Sequence, residues 1–239
     1  MPGALYIVPN LLGVVAPDRV LPSHTIETAR RLASWVVETP KAARAFLKSV
    51  APTRPIAELA IEALPEDGDA RQFASVVKML QGGADVGLLS DAGCPGVADP
   101  GASLVAAAHH SGIRVVPLVG PSAILLALMA SGMNGQHFCF HGYLPVKTDA
   151  RARRLRAIEQ ESRAQQRAEL FIETPYRNVA LLRAMAQALA PRTQVCVAAD
   201  LTLGTELIER RAAADWRTAD VARFDRRPAM FALQAHEPL

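Results

Sequence analysis

Short runs of branched and aromatic apolar residues alternate along the first half of the chain with longer stretches whose apolar positions recur every three or four residues. The runs predict strands and the longer stretches predict amphipathic helices. Ala4–Val8 reads as a first strand, closed by Pro9, Asn10 and Gly13. Residues 23–33 read as a helix capped by Ser23 or Thr25. Residues 35–37 form a second strand, and residues 40–50 a helix with proline in its first turn and basic residues throughout. Pro52, Pro55 and Pro65 interrupt the segment after that helix. A helix from Asp69 to Leu80 ends at Gly82 and Gly83 and leads into a strand at residues 86–89. A helix at about residues 102–110 stops at Gly112, a strand comes next at 114–117, and a helix of small and apolar residues runs from Pro121 to Ala130. Strand and helix alternating through short loops predict an α/β domain with a parallel sheet, whose ligand sites lie at the carboxyl ends of the strands.

After Gly132 the pattern changes. Strands are predicted at 137–142, 170–173, 194–198, 206–209 and 230–234, with a strongly charged helix at about 150–168 and another at 176–189. The expected organisation is two α/β domains, residues 1–119 and 120–239, with a junction near residues 120–135.

Composition narrows the classes. Half of the 239 residues are hydrophobic, yet charges interrupt every long apolar stretch, short of the roughly 20 apolar residues a spanning helix needs. No secretory signal is read at the start, so a soluble, cytoplasmic protein is expected, with no membrane partner. Three widely spaced cysteines, Cys94, Cys139 and Cys196, argue against a disulfide framework or a structural zinc site. A net charge of +3 permits a nucleic-acid partner without demanding one.

The candidate chemistry sits after the predicted strand at 86–89. Residues 88–101 carry Gly93, Gly96 and Gly101, two prolines and two aspartates, a composition suited to close approach of backbone to a ligand. Gly93 and Gly96 lack the third glycine of a dinucleotide fingerprint, and no phosphate loop with a Gly-Lys-Ser or Gly-Lys-Thr core occurs.

Ser90-Asp-Ala-Gly-Cys-Pro-Gly-Val-Ala-Asp-Pro-Gly101 resembles the S-adenosylmethionine (SAM) loop of the tetrapyrrole-methylase-like (class III) methyltransferases, and most of all their branch that 2'-O-methylates a cytidine of 16S ribosomal RNA. Arg114–Ala123, Phe138–Pro145, Phe171–Arg177 and Ala198–Thr202 resemble further motifs of that branch, in its order. The resemblance implies a homodimer of two-domain α/β chains with SAM in a cleft between the domains, and no metal. Carried over by position, it implies cofactor contacts from Pro9, from Ser90, Asp91, Ala92, Gly93, Cys94, Val97 and Ala98 of the glycine-rich loop, and from Ser122, Ala123, Thr174 and Leu201. It further implies methylation of RNA, with Glu38 and Lys41 as the catalytic candidates.

The substrate side departs from the branch. Val37-Glu-Thr-Pro-Lys41 stands where the branch has Ala-Glu-Asp-Thr-Arg, and Ala199 and Leu203 stand where it has arginine and lysine. With no C-terminal extension after the last predicted strand, a short paralogue is expected. A small acceptor of tetrapyrrole type, or SAM binding without turnover, are the alternative functions. Glu38 and Thr39 also fit a capped helix start. The arginines at 151, 153, 154, 156, 163 and 167 fit a solvated helix as well as an RNA-facing one, given Glu159 and Glu161 among them. His137 and His141 share a strand face with no third ligand evident, so packing is expected there, and Trp35 is expected in the core.

Overall fold

The structure, a computed structural model, describes residues 1–65 and 70–235. Chain contacts divide it into two units, Met1–Ser122 and one beginning at Ala123.

The first unit contains β1 (Ala4–Val8), α1 (Ser23–Arg31), β2 (Ser34–Val37), α2 (Pro40–Val50), β3 (Ala60–Ala63), α3 (Ala74–Gln81), β4 (Val86–Leu89), α4 (Ala102–His110) and β5 (Arg114–Pro117). Its five strands are all parallel, in the order β3-β2-β4-β1-β5. Alternating side chains serve two cores. Trp35 and Val37 join Ile26, Phe46 and Leu47 on one side, whereas Val36, Val86 and Leu88 join Phe73, Leu80 and Leu104 on the other. Helices thus cover both faces, and the carboxyl ends of β1, β2, β4 and β5 come together at one edge.

Three expectations need correction. The helix start at residues 23–25 has no side-chain cap; Pro22 holds the cap position, because its fixed φ of −59° already leads the chain into the first turn. The proline-rich stretch does contain a strand, β3, at the sheet edge. The helix expected from Asp69 begins with a 3-10 turn at Ala70–Phe73, and Asp69 itself lies outside the described residues.

Gly87 fixes how Trp35 packs. A Cβ there would sit 2.6 Å from Trp35 Cε3 and 3.1 Å from Leu32 Cδ1. Trp35 is 1% exposed and cannot retreat. Gly87→Ala is therefore expected to destabilise the unit by about 1–3 kcal/mol, measured by urea denaturation followed through tryptophan fluorescence; a loss below about 0.5 kcal/mol would show that the sheet yields freely.

The second unit contains α5 (Ala123–Ser131), β6 (Phe138–Tyr143), α6 (Thr148–Gln165), β7 (Ala168–Glu173), α7 (Asn178–Ala188), β8 (Gln194–Ala199), β9 (Leu207–Ala212) and β10 (Ala229–Gln234). The mixed sheet runs β6-β7-β10-β8-β9, with only β6 and β7 parallel neighbours. Phe171 and Phe231, partners in register, stack with centroids 6.0 Å apart beneath Leu155, Ile158, Leu181 and Met185 of α6 and α7. Since β7 and β8 both run antiparallel to β10, their carboxyl ends share one sheet end, where β10 begins. Among the described residues no helix is long and apolar enough to cross a membrane.

Candidate functional site

In the first unit the polypeptide leaves β1, β2 and β4 at the same sheet edge, and side chains stitch the three exits together. Asn10, 5% exposed, donates from Nδ2 to the carbonyls of Ser90 (2.9 Å) and Asp91 (3.0 Å), and its Oδ1 accepts from Leu11 N. Its backbone N–H bonds Gly93 O at 2.8 Å. Glu38, just past β2, accepts the Asp91 N–H on Oε2 at 2.9 Å. Asp91 in turn accepts from Thr39 N (3.1 Å) and Thr39 Oγ1 (2.7 Å) on Oδ1. Thr39 stands at the start of α2 but makes no side-chain cap bond; its hydroxyl is committed to Asp91 instead, which corrects the capping expectation.

The glycine-rich loop bends through left-handed backbone at Gly93 (φ 69°), Gly96 (φ 78°) and Gly101 (φ 124°), conformations that glycine takes without penalty, and also at Ala98 (φ 61°), where a side chain must be accommodated. Gly101 lies over Leu88, whose Cδ2 would be 2.9 Å from an added Cβ. Ser90 is buried, whereas Asp91, Ala92, Val97 and Ala98 face outward. Cys94 donates weakly to Pro121 O at 3.4 Å, and its thiol is pushed above the usual range by burial and by nearby Asp99. Pro9 is buried, packed so closely on Gly120 that an added Cβ would lie 2.4 Å from its ring.

Composition alone gave no role to Asp99. Its carboxyl is pushed up to about 6, first by burial, then by the charge of Glu38 and, least, of Asp91; its hydrogen bond with Ser90 works the other way. Among the described residues no lysine or arginine pairs with Glu38, Asp91 or Asp99. The edge therefore carries a cluster of carboxylates without a countercation, a setting that stabilises a bound positive charge. Lys41, three residues beyond Glu38, is exposed and has no side-chain partner among the described residues.

Ser122 closes the first unit, half-buried, and Ala123 opens α5 in the second. Thr174 comes directly after β7, its N–H bonded to Glu173 Oε1 at 2.7 Å, and Glu173 is buried against Arg177. Leu201, 7% exposed, lies just past β8 between two residues in the left-handed region, Asp200 (φ 51°) and Thr202 (φ 74°). A β-branched threonine there is a true outlier and marks a constrained loop. Arg227 Nε and Thr205 Oγ1 both hold Asp200 Oδ2, at 2.9 and 2.8 Å. Thr174 and Leu201 so occupy the one sheet end where β10 begins.

The charged helix is less available than its sequence suggests. Arg151 is buried, Arg154 pairs with Glu161 (2.8 Å), and Arg167 with Glu161 and Glu169 (2.9 and 2.6 Å). His141 gains a partner set that spacing did not reveal. Its Nε2 lies 2.6 Å from Glu169 Oε2, Arg154 donates to its Nδ1 at 3.0 Å, and Cys139 completes a group with ligand atoms within 4.8 Å of one another. Arg154 on Nδ1 places the ring proton on Nε2, facing the carboxylate. That arrangement uses both ring nitrogens in hydrogen bonds.

A family profile described as Tetrapyrrole (Corrin/Porphyrin) Methylases matches residues 22–215. The chain is 36% identical over 166 residues to a Ribosomal RNA small subunit methyltransferase I of Pseudomonas aeruginosa, covering 68% of this chain and 57% of that protein. With the protein of the same description from Escherichia coli O157:H7 it shares 32% identity over 206 residues, 86% of this chain and 68% of the relative. The match thus spans little more than half of the first relative's length. In fold, the chain is similar to the methyltransferase CobJ, with a TM-score of 0.62 at 17% identity, over 98% of this chain and all of that one.

Proposed function

The chain belongs to the tetrapyrrole (corrin/porphyrin) methylase family, and from that premise we propose that it transfers a methyl group from SAM to RNA, onto a ribose 2'-hydroxyl of ribosomal RNA. The observation that carries the reading is the cluster of Glu38, Asp91 and Asp99, carboxylates left without a countercation at the strand ends. A cationic cofactor fits this donor set, and the left-handed loop at Gly93 and Gly96 exposes main chain to it with little side-chain bulk. When bound, SAM supplies an activated methyl group on a sulfonium, so the protein need not build a covalent nucleophile.

The chain's own residues then have limited tasks. Ser90, Asp91, Ala92, Gly93, Cys94, Val97 and Ala98 form the cofactor wall with Pro9 behind them, and Ser122, Ala123, Thr174 and Leu201 add contacts as the family pattern implies. Asn10 and Thr39 hold that wall in register with the first loop and α2. Asp99, ionised above about pH 6, faces the positive charge, and a carboxylate with that affinity for a proton is suited to receive one from a neutral hydroxyl near neutral pH. Burial first and the charge of Glu38 second keep Asp99 in this range, and Glu38 also positions the Asp91 backbone. Lys41, reaching from the start of α2, is free to meet an anionic acceptor. RNA as acceptor is supported by the relatives described as ribosomal RNA methyltransferases. The same reading makes the protein cytoplasmic, and a homodimer, in which α5 would bury its exposed Leu125 and Met129.

The test is transfer of labelled methyl from SAM to small-subunit RNA purified from a strain lacking the gene. Label at a ribose 2'-oxygen is expected. No incorporation overturns the RNA reading; a labelled small molecule in the extract would support the tetrapyrrole-like alternative, and SAM binding with no product would make the protein a sensor.

A further inference from the structure

Beside the carboxylate cluster, the first loop and α2 enclose a pocket of about 310 Å³ lined by Leu11, Val14, Val15, Ala42 and Ala45, with Asn10 and Asp91 at its polar end. Its size lies at the lower end of the roughly 300–1,000 Å³ typical of ligand sites. Val14 is fully exposed on its rim, an apolar side chain committed to no core. Along α2, Ala42, Ala45 and Ser49 form the stripe that borders this space. One residue before each stands a cation: Lys41, Arg44 and Lys48. At 3.6 residues per turn these form a parallel stripe about 100° around the helix. All three are exposed, none has a side-chain partner among the described residues, and α2 contains no acidic residue.

The charges are therefore sorted, with carboxylates at the exits of β2 and β4 and cations along α2, and an apolar recess beside them. A small neutral acceptor would have no use for three unpaired cations in a row. A polyanion with flat apolar rings would use both the row and the recess.

Building on the acceptor reading above, we propose that this recess receives one unpaired base of a single-stranded RNA whose phosphates run along Lys41, Arg44 and Lys48. The base stacks on Leu11, Val14 and the alanine stripe, and the stripe of cations sets the strand's direction past the carboxylate cluster.

Fluorescence anisotropy with a fluorescein-labelled single-stranded RNA, titrated at several salt concentrations, tests it. Arg44→Gln/Lys48→Gln is expected to reduce the slope of log affinity against log salt by about 1.4, since each phosphate contact on a single strand contributes roughly 0.7. Ala45→Leu, an aliphatic filling of the recess at an exposed position, is expected to weaken the single strand about tenfold by displacing the base while leaving the salt slope unchanged. The same RNA annealed to its complement should bind more weakly to the wild type and be indifferent to Ala45→Leu. SAM affinity, read by calorimetry, should be unchanged in both variants, which also shows that they fold. An unchanged slope in the double variant, or single-strand affinity untouched by Ala45→Leu, overturns the inference. If these variants methylate RNA at the wild-type rate, the surface is misassigned and the function stands. RNA binding with the expected variant effects but no methyl transfer keeps the surface and removes the activity.

Discussion

Replacing Asp99 by asparagine is expected to weaken SAM binding at pH 7.5 by at least about tenfold, the loss of one hydrogen-bonded or facing charge, while making the folded protein more stable. The two effects share one cause. Folding lifts the Asp99 carboxyl from 3.8 to about 6, so the folded chain holds this proton more tightly than the unfolded chain does. Stability accordingly falls as pH rises from about 4 through 6, and the full penalty is present above that range. Asparagine removes it. Discounting the shift for the solvent that reaches a half-buried group leaves a gain of about 1 kcal/mol at neutral pH, or roughly 2–4 °C in melting temperature. At pH 4, where the wild-type carboxyl is already protonated, the two proteins should melt nearly together. Calorimetric titration and thermal melts at both pH values check this; a variant that loses stability at pH 7.5 and binds SAM normally would place Asp99 in a structural role only.

The largest loss of stability is expected in the second unit. Glu169 is fully buried, and its carboxylate is held by Arg167 Nε at 2.6 Å and by His141 Nε2 at 2.6 Å. Arg167→Ala leaves that carboxylate buried without its guanidinium partner, at an expected cost of about 3–5 kcal/mol. Converting both partners together, Arg167→Met with Glu169→Leu, removes the charge as well as its partner and should restore most of the loss. Urea denaturation of Arg167→Met, Glu169→Leu and their double variant provides the coupling energy. A single variant losing less than about 1 kcal/mol would mean that water reaches Glu169.

The sequence was most readable where burial was most complete. Val86–Leu89 is buried at every position and lies at the centre of its sheet, so an uninterrupted apolar run identified it. β3 has no such signature, for the opposite reason: at the sheet edge, with Ala60, Glu62 and Ala63 exposed and prolines on both sides, it carries no apolar periodicity. The start of α1 departs from the capping pattern that Ser23 and Thr25 suggest, because Thr25 spends its hydroxyl on Val119 O, far along the chain. The same division runs through the candidate site. Glycines, prolines and aspartates marked the loop after β4 by composition alone. That Asn10 and Thr39 close on it, that burial and then the Glu38 charge raise the Asp99 carboxyl, and that His141 meets Glu169 depend on contacts between residues distant in sequence, which no local pattern encodes.

The central claim is that the carboxylates at the strand ends receive a cationic cofactor, and a calorimetric titration of the wild-type protein with SAM at pH 7.5 and pH 5 tests it most directly. With Asp99 titrating near 6, about one-tenth of it is ionised at pH 5, so the account predicts saturable binding at pH 7.5 that weakens roughly tenfold at pH 5. Absence of binding at pH 7.5, or equal affinity at the two pH values, would contradict it.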